Sequence, residues 1–166
     1  MVIDMNIVIG FNKSFKEANK TRKRYRAMKG SAGSGKSVNV AQDYILKLSD
    51  PKYKGANLLV VRKSESTHKY STYAELTSAI NKIYGKNANK YWKITANPLE
   101  MRSRVTGNSI IFRGVNDAKQ REKLKSINFP TGKLTWVWCE EATELAESDV
   151  DIFCLLYTSD AADDTP

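Results

Sequence analysis

The 166-residue chain contains one histidine, His68, and two cysteines, Cys139 and Cys154. Metal centres built on imidazole and thiolate need several such ligands at close spacing, and disulfide scaffolds need cysteines in numbers, so neither is expected. His68 has no other ligand type around it and reads as structural or exposed. The sparse thiols fit a reducing, cytosolic setting. Long apolar runs are missing too: Leu58-Leu-Val-Val61 and similar stretches are far too short to cross a bilayer, so no membrane role is expected. Residues 1–10 have apolar side chains but no basic start, and a charged segment follows at once, so no secretory signal is read. Acid is scarce relative to base, 18 Asp and Glu against 27 Lys and Arg, for a net charge of +9. That balance favours polyanionic partners, nucleic acid above all, although a charged surface also serves solubility. A hydrophobic content of 41% suffices for one domain with a real core.

What is present is organised around Gly30, Ser31, Ala32, Gly33, Ser34, Gly35, Lys36 and Ser37. The stretch fits G-x-x-x-x-G-K-[ST], the phosphate-binding P-loop. A triphosphate is a dense cluster of negative charge. Glycines let successive backbone N–H groups turn toward it, and a following helix adds its free N–H groups and positive dipole end. Lys36 is the expected contact to the β- and γ-phosphates, and the Ser37 hydroxyl an expected Mg²⁺ ligand. A Gly/Ser linker matching by chance is the competing reading, and the flanks argue against it. Residues 25–29 read as a short strand. Residues 38–48 read as a helix with Val38, Ala41, Ile45 and Leu48 at helical spacing.

Before the loop, residues 12–26 are strongly basic, with Glu17 the single acid. Phe11, Phe15 and Ala18 fit one face of a short helix, and Phe15 or Tyr25 is placed near a nucleotide base. After the first helix, Ser49-Asp-Pro51 is a stop signal. Residues 58–62 then read as a buried parallel strand ending in Arg62 and Lys63, on the edge where α/β proteins place ligands. Residues 71–84 read as a helix with Tyr73, Leu76, Ile80 and Ile83 inward. Residues 99–105 and 109–113 read as a β-hairpin inserted between the parallel units. Residues 114–127 are polar and basic, a loop with a short helix anchored by Leu124 and Ile127.

Leu134-Thr-Trp-Val-Trp-Cys139 reads as another buried strand, with Trp136 and Trp138 on one face in the core, and it ends in Glu140-Glu141. An apolar strand closing on two acids, about a hundred residues after a P-loop, is the Walker B arrangement. Glu140 is expected to hold Mg²⁺ and Glu141 to activate the attacking water. Glu140 stands where Asp is usual. Two acids also suit the first turn of a helix, which is the plainer reading of the pair.

Residues 25–37, with Val60-Val-Arg-Lys63, Ile111-Phe-Arg-Gly114 and Trp138-Cys-Glu-Glu-Ala142, resemble the large terminase subunit of tailed bacteriophages, over about residues 11–153. The resemblance implies an α/β P-loop NTPase of the ASCE/RecA-like class, with a mainly parallel sheet flanked by helices. It implies ATP and Mg²⁺ as cofactors and ATP hydrolysis driving double-stranded DNA into a procapsid. The partners implied are the portal protein, the small terminase subunit and further copies in a ring, at work in the host cytoplasm. It also implies an arginine for the transition state, with Arg62 the first candidate and Arg104 the second. The family's nuclease domain, coupling motif and later strands are not recognisable here. The expected division is therefore a basic lead-in (1–24), a partial ATPase domain (25–153) and a non-native acidic tail (154–166), for which a native acidic tail is the alternative. A helicase or recombinase motor, or a nucleotide-gated DNA-binding module, are the other readings.

Overall fold

Four fully buried aliphatic residues in a row, Leu58 to Val61, fix the centre of the sheet. They lie in strand β1 (Ala56–Arg62). In a pleated strand, successive side chains face opposite ways, so an unbroken apolar run requires cover on both faces. Leu58 and Val60 enter one hydrophobic cluster, and Leu59 and Val61 enter a second. Each such side chain, fully buried, contributes about 1.5–3 kcal/mol. The computed structural model describes residues 10–161, with side chains as far as residue 156. Residues 1–9 of the expected lead-in and 162–166 of the expected tail lie outside the described residues.

The sheet has five strands in the order β2 (Trp92–Ala96), β3 (Leu99–Ser103), β4 (Ser109–Gly114), β1, β5 (Lys133–Cys139). β1 runs parallel to both β4 and β5, whereas β3 is antiparallel to β2 and β4. Only β3 points the other way, so the sheet is mainly parallel, as expected. Helices α2 (Lys36–Ser49), α3 (Thr72–Tyr84) and α4 (Ala88–Tyr91) cover one face through Ala41, Ile45, Leu48, Leu76, Ile80 and Ile83, among others. Helices α5 (Ala118–Lys125) and α6 (Glu147–Ala161) cover the other through Leu124 and Phe153. Tyr73, expected inward, is half-buried and meets Phe112 edge-on. α6 continues across the division expected at residue 154.

Two expectations need correction. Residues 25–29 form no strand. Only Met28 of this stretch packs against the core, and Arg26 ties it to α2 through Asp43 at 3.0 Å, so side chains hold it instead of ladder bonds. The expected hairpin is present, β3 antiparallel to β4 and between β1 and β5 in the chain, with β4 the parallel neighbour of β1 and β3 carrying the unforeseen strand β2. Finally, β5 is an edge strand and mostly half-buried. A bulge opposite Asn57 and Leu58 puts Leu134 on one face and Trp136 on the other, which strict alternation would not allow.

The described part of the lead-in docks on α2. A short helix, α1 (Lys16–Lys20), follows a 3-10 turn at Lys13–Phe15. The amides of Asn19 and Asn39 bond reciprocally at 2.9 and 2.8 Å. His68 is fully buried, with Nε2 donating to the Arg113 carbonyl (2.9 Å) and Nδ1 accepting from the Thr72 hydroxyl (2.7 Å). Burial pushes its pKa below the usual imidazole range, against the opposing pull of the Arg113 carbonyl. The unfolded chain takes up a proton near pH 6.5 while folded His68 refuses it, so stability falls as pH drops below that value. Urea unfolding at decreasing pH should show a loss of up to about 1.4 kcal/mol per pH unit from this group, absent in His68→Gln.

Candidate functional site

The P-loop meets the sheet at the carboxyl ends of β1 and β5. Gly33 (φ +74°) and Gly35 (φ +80°) take left-handed conformations that residues with a Cβ adopt at a cost, and Gly35 is the N-cap of α2. The turn between them lets α2 begin at Lys36. The Lys36 ammonium folds back over the loop and donates to Gly30 O (2.7 Å), Ser31 O (2.9 Å) and Ser34 Oγ (2.9 Å). All three of its protons are thereby matched to oxygen acceptors.

Ser37, in the first turn of α2, donates its hydroxyl proton to Glu140 Oε1 at 2.6 Å, closing a sequence separation of 103 residues. The other carboxylate oxygen, Oε2, accepts the indole N–H of Trp138 at 2.9 Å. Strand alternation explains that bond, since residues two apart share a face. The backbone N–H of Glu140 continues the ladder to Val61 O at 3.0 Å. Glu141 leaves it: its φ is +53°, the one positive value among the described non-glycine residues. That conformation costs on the order of 1–3 kcal/mol and frees its side chain from the strand. Its carboxylate pairs with Arg62 Nη2. Arg62 Nη1 bonds Ser71 Oγ (2.7 Å) and Thr67 O (3.3 Å), and Arg62 Nε is buried without a hydrogen-bond partner.

The chemistry of this set is that of hard oxygens beside an anion cradle. A serine hydroxyl and a carboxylate converge, and such hard oxygens would suit Mg²⁺, which keeps several positions for water and phosphate. Among the described residues no group of three or more His, Cys, Asp or Glu side chains is placed to hold a metal by itself. Cys139, at the end of β5, is no nucleophile: burial, and then nearby Cys154, push its thiol up to about 11.

A profile of the phage terminase large subunit family matches residues 22–159. The chain belongs to that family. The large terminase subunit of Bacillus phage SPP1 is 31% identical over 126 residues, covering 75% of this chain and 28% of the relative. The large terminase of a thermophilic bacteriophage superposes with a TM-score of 0.59 at 14% identity, over 77% of this chain and 29% of that structure. The second comparison speaks for the fold alone. This terminase chain thus spans under a third of the length of either.

Of the residues singled out in the sequence, Lys36, Ser37, Arg62, Glu140 and Glu141 are linked to the loop or to one another. Arg104 is not: it follows β3, before β4 begins, which is the opposite edge of the sheet. Phe15 comes close to the loop, its ring 3.9 Å from where a Cβ on Gly35 would sit. Tyr25 is 66% exposed, with its hydroxyl 3.3 Å from Cys154 Sγ. Sequence reasoning missed the bond of Trp138 to Glu140 and the backing of Arg62 by Ser71. The first was legible as an indole two residues before an acid on one strand. The second depends on how residues 65–71 turn, for which the sequence holds no marker.

Trp138→Phe keeps one six-membered ring but removes both the donor to Glu140 and the five-membered ring of a buried indole. Because that bond is to a charged acceptor, and the smaller ring also leaves space behind, the loss should be at least about 1.5–3 kcal/mol of unfolding free energy by denaturant titration. An unchanged midpoint would show that the indole bond contributes nothing.

Proposed function

We propose that this terminase chain supplies the ATP-hydrolysing part of a DNA-packaging motor. The observation that carries the reading is the Ser37–Glu140 contact, which joins a P-loop to the acid at the tip of β5. Family membership supports it. In this reading the loop amides from Gly33 to Ser37 and the start of α2 bind the phosphates of ATP. Lys36 exchanges its loop carbonyls for the β- and γ-phosphates. Ser37 and Glu140 hold Mg²⁺, which when bound neutralises phosphate charge and orients the triphosphate.

Glu141 is the proposed general base. Its side chain is 49% exposed, so water reaches it, and its left-handed backbone swings it off the strand. It takes the proton from a water whose oxygen bonds to the γ-phosphorus, while the β–γ bridging bond breaks and ADP leaves. Arg62 orients that carboxylate and brings positive charge to the end of β1, where charge builds in the transition state. Double-stranded DNA, portal protein, small terminase subunit and a ring of copies are the proposed partners, and the host cytoplasm the proposed setting. No described helix is long and apolar enough to cross a membrane.

Three substitutions separate the roles. Lys36→Ala should weaken Mg-ATP binding at least about tenfold by calorimetry, the scale of a lost charge-assisted bond. Glu140→Gln should impair Mg²⁺-dependent binding and turnover together. Glu141→Gln should bind Mg-ATP nearly as well as the unmodified chain yet hydrolyse it about a hundred- to ten-thousandfold more slowly in a single turnover. Hydrolysis at the unmodified rate would place the base elsewhere.

Lys13, Lys16, Lys20, Arg22 and Lys23 of the lead-in are exposed, as are Lys119, Lys123 and Lys125 of α5. If four of these meet phosphates, duplex DNA affinity should fall about a hundredfold from about 50 to about 200 mM salt, whatever the sequence. A flat salt titration would reduce this charge to a solubility feature.

A further inference from the structure

Asp149 is a fully buried carboxylate outside the set described above. It lies in the first turn of α6 and collects donors from three places. Arg121 Nε of α5 reaches Oδ1 at 2.7 Å, Lys63 Nζ reaches Oδ2 at 3.4 Å, and the backbone N–H of Ala146 donates to Oδ2 at 2.9 Å. Burial alone would raise its pKa, but the Ala146 amide, Arg121 and Lys63 together hold it below the usual carboxylate range. The plain account is a helix cap, since an acid three residues into a helix commonly reaches back to the preceding N–H. A cap needs neither burial nor two cations from other elements. Removing a buried charge's partners is costly, so the cluster fixes the three segments relative to one another.

Two of those segments carry the Arg62–Glu141 pair. Lys63 directly follows Arg62, the residue paired with Glu141. The 3.2 Å bond from Val115 N to Lys63 O pins the same point of the chain to the end of β4. On the other side, residues 141–148 are all exposed except half-buried Leu145, so packing does little to place them. The stretch is held at one end by the Glu140–Val61 backbone bond and at the other by Asp149, eight residues beyond Glu141. Asp149 thus grips both the strand end that carries Arg62 and the loop that carries Glu141.

We propose that Asp149 is a positioning residue for the Arg62–Glu141 pair, acting through Lys63 and the 141–146 loop. Its bearing on hydrolysis rests on the role given to Glu141 above. Asp149→Asn keeps the size and the cap to Ala146 while removing the charge that Lys63 and Arg121 meet. Lys63→Gln is a second variant at a side chain 31% exposed, for use if the first does not fold. The ¹⁵N NMR signals of the Arg62 guanidinium report the ion pair without any turnover. In the unmodified chain the Nη2 protons should be resolved and slowed in rotation. In Asp149→Asn or Lys63→Gln they should collapse toward the averaged signal seen in Glu141→Gln. Single-turnover hydrolysis should fall about tenfold or more with Mg-ATP affinity within about twofold, and neither variant should slow a Glu141→Gln chain further. An Arg62 signature unchanged in both variants would overturn the proposal and leave Asp149 a cap. Collapse of the signature in a chain that binds no ATP would instead uphold the positioning role and sink the hydrolysis reading.

Discussion

The 2.6 Å contact between Ser37 and Glu140 is the constraint on which the site depends. It requires α2 to begin where β5 ends, and that holds only if β5 pairs in parallel with β1 while α2 packs on the face that Leu58 and Val60 present. Each condition has a source in the sequence. The β1 run demands two covered faces, the left-handed Gly35 starts the helix, and Trp136 and Trp138 set the β5 face against α2, with Trp136 5.8 Å from the Tyr44 ring. Core packing therefore brings two polar oxygens together that sequence separation alone would leave unrelated.

Around that contact the two glutamates are treated differently by their backbones. Glu140 stays in the ladder, and its oxygens meet two neutral donors, a hydroxyl and an indole. Glu141 turns out of the strand and meets a cation. Glu141 is half-exposed, so solvent screens the pair and it contributes little to stability, commonly about 0–1 kcal/mol. The strained backbone at Glu141 is thus not offset by that pair alone, which is the pattern expected where geometry serves a reaction more than it serves the fold. The buried charge at Asp149 is of another kind, deep enough that its cations set the arrangement of chain segments.

How much of this was legible follows from the type of signal. The P-loop and the helix after it carry their own local code, and α2 (36–49) agrees with residues 38–48 as read from spacing. β1 and β5 were legible as apolar runs, and Glu140-Glu141 as their polar punctuation. Residues 25–29 were misread because so short a stretch before the loop reads the same whether it is a paired strand or an extended segment tied down by Arg26 and Met28. β2 was missed because Trp92-Lys-Ile-Thr-Ala96 is short, and only Trp92 of it is buried. The Asp149 cluster was invisible for a different reason. Arg121 and Lys63 lie 28 and 86 residues away from it, and nothing local distinguishes that aspartate from the other acids near the end of the chain.

The central claim is that the P-loop and the tip of β5 form one Mg-nucleotide site. The most direct measurement is an amide chemical-shift titration of the unmodified chain with Mg²⁺ and a non-hydrolysable ATP analogue. The largest saturable changes should fall on Gly33 to Ser37 and on Glu140, with the Trp138 indole N–H moving in step as its carboxylate partner is drawn to the metal. Saturable changes confined to other surfaces, or none at the P-loop while Glu140 and Trp138 stay still, would contradict the account.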